Sequence, residues 1–108
     1  MDAALHALND PTRRAILAQL ARGEARPSDL ARPFALSQPA ISQHLKVLET
    51  AGLILRRVDG TRRPCRLAPQ GLAELEAWLA RLRDVFEANY NRLDTLLDEL
   101  ESPDAAQP

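Results

Sequence analysis

At 108 residues with 45% hydrophobic content, the chain is sized for one domain with a packed core, and its single cysteine, Cys65, excludes an internal disulfide or a zinc site built from several thiolates. The N-terminal stretch MDAALHALNDP lacks the basic-then-apolar layout of a signal peptide and no apolar run reaches membrane-span length, so a cytoplasmic location is expected. The net charge of -1 hides a division: residues 1–66 hold eleven Lys or Arg against six Asp or Glu, a net of +5, and residues 67–108 hold three against nine, a net of -6. A basic half followed by an acidic one implies a surface for a polyanion first and a different task second.

Ala3 to Leu8 is predicted as a short helix with Leu5 and Leu8 facing inward. Asn9-Asp10-Pro11 ends it, with Asp10 capping a second helix that Pro11 starts and that buries Ile16, Leu17 and Leu20 on the way to about Arg22 and Gly23. Thr12, Arg13 and Arg14 lie in its first turns, where a cation opposes the helix dipole, so they form either a solvated face or a phosphate contact. Ser28, after Pro27, is expected to cap a third helix through Asp29, Leu30, Ala31 and Arg32, limited by Pro33. Phe34 and Leu36 anchor the turn that follows.

The stretch LSQPAISQHLKVLETAGLIL, Leu36 to Leu55, organises the rest. Ser37 is a good N-cap and Pro39 fits the first turn, which leaves the helix start open by a residue. Ala40, Ile41, Leu45 and Leu48 recur as a narrow apolar stripe, leaving Gln38, Ser42, Gln43 and Lys46 on other faces. Gly52 suits a left-handed helix end, and Leu53 beyond it can fold back on the last turn. A short, uncrowded helix rich in hydrogen-bonding groups, set after a helix and a tight connection, suits a DNA major groove.

Beyond Gly52 the periodicity becomes that of a strand. Leu53, Leu55 and Arg57 alternate with Ile54, Arg56 and Val58, Asp59-Gly60 is a hairpin turn, and Cys65 to Leu67 returns as the partner strand, with Pro64 placing it at an edge. Arg56, Arg57, Arg62, Arg63 and Arg66 crowd this wing; their mutual repulsion is relieved beside a phosphate backbone. From Pro69 to Leu100, Leu72, Leu75, Leu79, Leu82, Phe86, Asn89, Leu93, Leu96 and Leu100 follow spacings of three and four, with Trp78, Val85, Tyr90 and Leu97 widening the stripe. One amphipathic helix of roughly 48 Å is expected, longer than the compact part, so a partner chain is expected to cover its apolar face. Asn89 either sets pairing register or is simply exposed. The last residues, 101–108, carry no core-forming side chain and are expected to be disordered. The fold class is therefore mainly α with a small β-hairpin: a winged helix-turn-helix over residues 1–100 with a long dimerisation helix at about 69–100.

With DPTRRAIL at Asp10 to Leu17, LSQPAISQHLKVLETAGLI at Leu36 to Ile54 and RRVDGTRRPCRL at Arg56 to Leu67, the chain resembles the ArsR-type, arsenic-repressor-like, winged-helix transcriptional regulators over about residues 3–98. The resemblance implies a homodimer that binds a palindromic double-stranded DNA operator, usually represses, and releases DNA when an inducer binds. It implies DNA contacts from Ser37, Gln38, Pro39, Ser42, Gln43, His44 and Lys46 in the groove and Arg57, Arg62 and Arg63 on the wing, and a dimer interface including Leu5, Leu75, Trp78, Leu79, Leu82, Phe86 and Leu93. Metal-sensing relatives carry a cysteine pair before the turn or His and acidic ligands on the last helix. Here PSDLARP has neither thiol nor imidazole, and Pro69 to Leu100 has no histidine, so no metal and no cofactor is expected and the inducer is unknown. Redox-sensing relatives use two cysteines, and Cys65 stands alone. The competing reading is a winged-helix interaction module that dimerises without specific DNA binding, which leaves the wing arginines unexplained. An enzyme is not expected, since no nucleophile has a base at useful spacing and no phosphate loop or acid pair is present.

Overall fold

A computed structural model of the chain describes residues 1–101; the tail expected at 101–108 lies, from residue 102 on, outside the described residues. The order is α1 (Asp2–Ala7), α2 (Pro11–Leu20), α3 (Pro27–Ala31), a 3-10 turn (Arg32–Phe34), α4 (Gln38–Thr50), β1 (Ile54–Arg56), β2 (Cys65–Leu67) and α5 (Pro69–Glu101). It is a mainly helical winged helix-turn-helix with a two-stranded antiparallel hairpin and a long last helix. Met1–Leu75 is one compact unit, and the helix from Glu76 onward is a second.

Within the first unit α4 is the hub, in contact with α1, α2, α3 and β1. Ile16, Leu20, Leu30, Ile41, Leu45, Leu48, Leu53 and Ile54 fill the core. The first helix corrects one expectation: Ala4 and Ala7 are the buried residues, Leu8 is half-buried and Leu5 is 38% exposed. Small side chains on the inward face let so short a helix approach α4, and Leu5, one position off that face, points outward.

Asp10 caps α2, its Oδ2 accepting from the backbone N–H of Arg13 at 3.0 Å. That N–H, and then the Arg13 guanidinium, hold the Asp10 carboxyl below its ordinary value of 3.8 despite partial desolvation. A carboxylate depressed in the folded state contributes stability above its unfolded value and loses it as pH falls through the lower folded value. Asp10→Ala is therefore expected to cost about 1 kcal/mol near neutral pH. Asp10→Asn keeps a capping oxygen and is expected instead to flatten the loss of thermal stability below pH 3.8, as melting curves from pH 6 to 3 will show.

The third helix begins two residues earlier than expected, with Arg26 rather than Ser28 at the cap position. Pro27 takes the first helical position, Arg26 before it is extended, and Ser28 lies inside the helix with no side-chain cap present. Pro33 then tightens the chain into the 3-10 turn, and Ala35 turns left-handed at φ 53° before Ser37 starts α4. At the far end Gly52 has φ 77°, and the Leu53 N–H reaches the Leu48 carbonyl at 3.0 Å, the folded-back closure expected there.

The wing pairs Ile54 with Leu67, Leu55 with Arg66 and Arg56 with Cys65. The same register continues through Arg57 N–H to Pro64 O at 2.9 Å and Arg62 N–H to Asp59 O at 3.1 Å. The turn thus closes on Gly60-Thr61, one residue later than the Asp59-Gly60 expected, with Gly60 supplying the positive φ of 61°. As expected, β2 is an edge of this two-stranded sheet, although one bridge covers it at its first residue. Cys65 exchanges both backbone hydrogen bonds with Ala25, at 2.8 and 3.0 Å, so β2 is flanked on both sides there.

The last helix runs unbroken for 33 residues, about 50 Å at the usual rise. Among the described residues no helix is long and apolar enough to cross a membrane.

Candidate nucleic-acid interface

Helix α4 presents what its periodicity promised, with two exceptions. Ile41, Leu45 and Leu48 are buried, Ala40 is half-buried, and Gln38, Pro39, Ser42, Gln43 and Lys46 are exposed together with Glu49. Ser37 is exposed, but its Oγ accepts from the Ala40 N–H at 3.3 Å and is committed to the cap. His44 does not face the open groove side. Its side chain is 22% exposed, with Nδ1 3.4 Å from an Arg13 Nη1 and 4.0 Å from Asp10 Oδ2. Four residues before buried Leu48 and three after buried Ile41, it falls on the inner edge of the stripe.

Arg13 and Arg14 are not a bare solvated face: both reach back to the chain at the end of α1. Arg13 donates from Nε to Ala7 O at 2.6 Å and from Nη2 to His6 O at 3.3 Å, while Arg14 donates to Leu8 O at 2.7 Å. The two guanidinium groups satisfy carbonyls at the C-terminal end of α1, where cations are favoured.

The wing arginines also divide. Arg57 donates to Glu24 Oε1 at 2.6 Å, an ion pair that holds its guanidinium even more firmly protonated, through that hydrogen bond first. Arg56 is folded inward with Nε 3.8 Å from Glu49 Oε1 and without a hydrogen bond. Arg62, Arg63 and Arg66 are exposed, with no ion pair among the described residues, and Arg63 sits in the left-handed region at φ 45°. Of five arginines, three remain as open positive charge. Cys65 is fully buried in β2, and that burial above all raises its thiol's pKa.

A buried-stripe helix with an amide and hydroxyl face, followed by a cationic hairpin, matches known proteins. Residues 10–55 match the bacterial regulatory protein, arsR family. The chain is 52% identical over 80 residues to the HTH-type transcriptional regulator Rv2034 of Mycobacterium tuberculosis, covering 74% of this chain and 75% of that one. It superposes on the crystal structure of an ArsR family transcriptional regulator, RHA00566, with a TM-score of 0.72 and 38% identity, covering 80% of this chain and 94% of that one. The chain belongs to the ArsR family.

The chain is also similar to the transcriptional repressor SdpR of Bacillus subtilis, 43% identical over half of this chain and 60% of that protein's length. The homodimeric winged helix-turn-helix DNA-binding domain Mb0332 of Mycobacterium bovis matches with a TM-score of 0.63 and 30% identity over 77% of each chain. This ArsR-family chain is accordingly a DNA-binding regulator of transcription and not an enzyme.

The residues expected at a dimer interface fall into two groups. Leu75 is 8% exposed and packs into the core of the first unit. Trp78 is half-buried, while Leu5, Leu79, Leu82, Phe86 and Leu93 are exposed, the last four by 47%, 50%, 65% and 54%. No grouping of three or more His, Cys, Asp or Glu able to hold a metal ion occurs among the described residues.

The Arg57–Glu24 pair, the Arg13–His44 contact and the α1 caps have no signature in the sequence. Their partners lie 33, 31 and six to seven residues apart, none sharing a helix or strand with its arginine, so no periodicity within one element links them. Only the (i, i+3) link from Asp10 to Arg13 carried a local signal.

Proposed function

We propose that the protein is a cytoplasmic homodimeric repressor that reads a palindromic operator with α4 and clamps the backbone with its wing. The observation that carries this reading is the coexistence, on one small unit, of an exposed Gln38, Ser42, Gln43 and Lys46 face on α4 and a hairpin with three uncompensated arginines. Amide side chains suit adenine edges, Ser42 suits several acceptors, and Lys46 suits guanine or phosphate. Arg62 and Arg63 serve as the backbone contacts, with Arg66 beside them. Pairing of two α5 helices sets two reading helices one DNA turn apart, roughly 34–36 Å, so that each takes half of the palindrome.

Operators recovered from a random duplex pool supply the test. Gln43→Ala is expected to relax base preference at one position per half-site, at a cost of about 1–3 kcal/mol on the preferred sequence. Arg62→Ala is expected to weaken all sequences alike and to lower the salt slope by about one. Arg57→Ala is expected to change that slope less, because Glu24 already compensates the charge. If Gln43→Ala and Arg62→Ala weaken every sequence equally, the division into reader and clamp is wrong. If random duplex shows no salt-dependent binding to the native chain, the interaction-module reading replaces this one.

A further inference from the structure

Arg13 touches three helices. It stands on α2, its Nε and Nη2 donate to Ala7 O and His6 O at the end of α1, and its Nη1 lies 3.4 Å from Nδ1 of His44 on α4. A guanidinium carries donors only, so the last contact is a hydrogen bond only when Nδ1 offers a lone pair. The imidazole is then neutral and its proton is on Nε2. A proton on Nδ1 would instead point at a cation at 3.4 Å, and the nearest carboxylate oxygen, Asp10 Oδ2, stands at 4.0 Å, beyond hydrogen-bond reach. The charged groups that meet the ring, Arg13 and Asp10, both come from the start of α2; α1 contributes carbonyls already occupied by Arg13.

We propose that Arg13 is a positioning residue for the reading helix: it holds His44 as the neutral Nε2–H tautomer and ties α4 to the C-terminal end of α1, so that the exposed face of α4 is presented in one orientation. In its DNA readout this rests on the function proposed above. The charge-assisted bonds to the α1 carbonyls anchor the guanidinium, and the anchored guanidinium then selects the tautomer and rotamer of the histidine. Neither Arg13 nor the Nδ1 of His44 touches DNA in this arrangement; both act through the placement of Gln38, Ser42, Gln43 and Lys46.

The experiment has a readout taken without DNA. Nitrogen-15 spectra of the histidine rings at pH 8, with His6→Gln to tell the two imidazoles apart, are expected to show His44 protonated on Nε2 and bare on Nδ1. Arg13→Met is expected to convert this to a mixture of tautomers and to lower affinity for the selected operator about tenfold, the loss of a charge-assisted contact. Should Arg13→Met fail to fold, two variants at position 44 carry the test. His44→Asn places an amide oxygen near the lost Nδ1 lone pair and is expected to retain most of the affinity, whereas His44→Leu is expected to lose about tenfold. The proposal is overturned by an Nδ1–H tautomer in the native chain, by native affinity in a folded Arg13→Met protein, or by equal affinities of the Asn and Leu variants. A native chain with the expected spectrum that bound no duplex would reject the repressor reading, and with it the orientation of α4 for DNA, while the tautomer assignment stood.

Discussion

Gly71→Ala is expected to destabilise the protein by about 3 kcal/mol, the upper end of what overpacking a well-filled site costs. A Cβ built at position 71 falls 1.8 Å from the Gly52 carbonyl oxygen and 2.8 Å from its carbon. These atoms are backbone, at the left-handed residue that ends α4, so no side chain can swing aside to make room. Relief requires the first turn of α5 to move off the end of α4, which strips packing from Leu72 and Leu75. At the usual sensitivity of a domain this size, a fall of roughly 10–20 °C in melting temperature follows. The contrast is Gly23→Ala: no atom lies within 4 Å of a Cβ there, and only its φ of 149° opposes the change. A Gly71→Ala protein that melts with the native chain would mean that this close approach of two backbones does not exist in solution.

Phe86→Asp, alone or with Leu82→Asp, is expected to yield a monomer of 12.0 kDa by light scattering where the native chain runs at about twice that mass. From Leu79 the spacings of four and three bring Leu79, Leu82, Phe86, Leu93, Leu96 and Leu100 onto one seam, all at least 47% exposed. Phe86 stacks on Tyr90 of its own helix with ring centroids 6.1 Å apart, so the seam carries an aromatic patch that water covers in an isolated chain. Burying a large apolar side chain contributes about 1.5–3 kcal/mol, and in a two-fold dimer each substitution acts twice. The dimer dissociation constant is therefore expected to rise by a factor on the order of 100 or more, and palindrome binding to fall to that of separate half-sites. Among the described residues every buried one lies at or before Leu75, so the variants are expected to keep the native circular dichroism of the first unit. A stable dimer of the doubly substituted chain would remove the seam from the proposed assembly.

Local signals in the sequence marked most element boundaries. Asp10, Ser37 and Gly52 act as cap, cap and stop because each depends on atoms within a few residues of chain. The same short range explains the errors. Ser28 is a cap by residue type, yet the stronger preference of Pro27 for the first helical position prevails, and Ala4 and Ala7, which hold the inner face instead of Leu5, make a weak hydrophobic signal. In the candidate interface the exposed face of α4 was legible, since its complement is an apolar stripe of period 3.6. The number of free wing arginines was not, since Glu24 and Glu49 reach Arg57 and Arg56 only through the fold.

The residue order by itself determined the helix–turn–helix–hairpin succession, the polar face of α4 and the leucine seam, because caps, periodicity and turns are interactions between near neighbours on the chain. Only the tertiary structure decided that Leu75 belongs to the core while Leu79 stays open, that Arg13 and Arg14 cap α1, that Ala25 pairs with Cys65, and that His44 turns inward. A heptad repeat runs through Leu75 and Leu79 alike, and an arginine reads the same whether its partner is water, a carbonyl or a phosphate. Those choices belong to packing between segments distant in sequence, where burial and geometry, rather than residue type, select the partner.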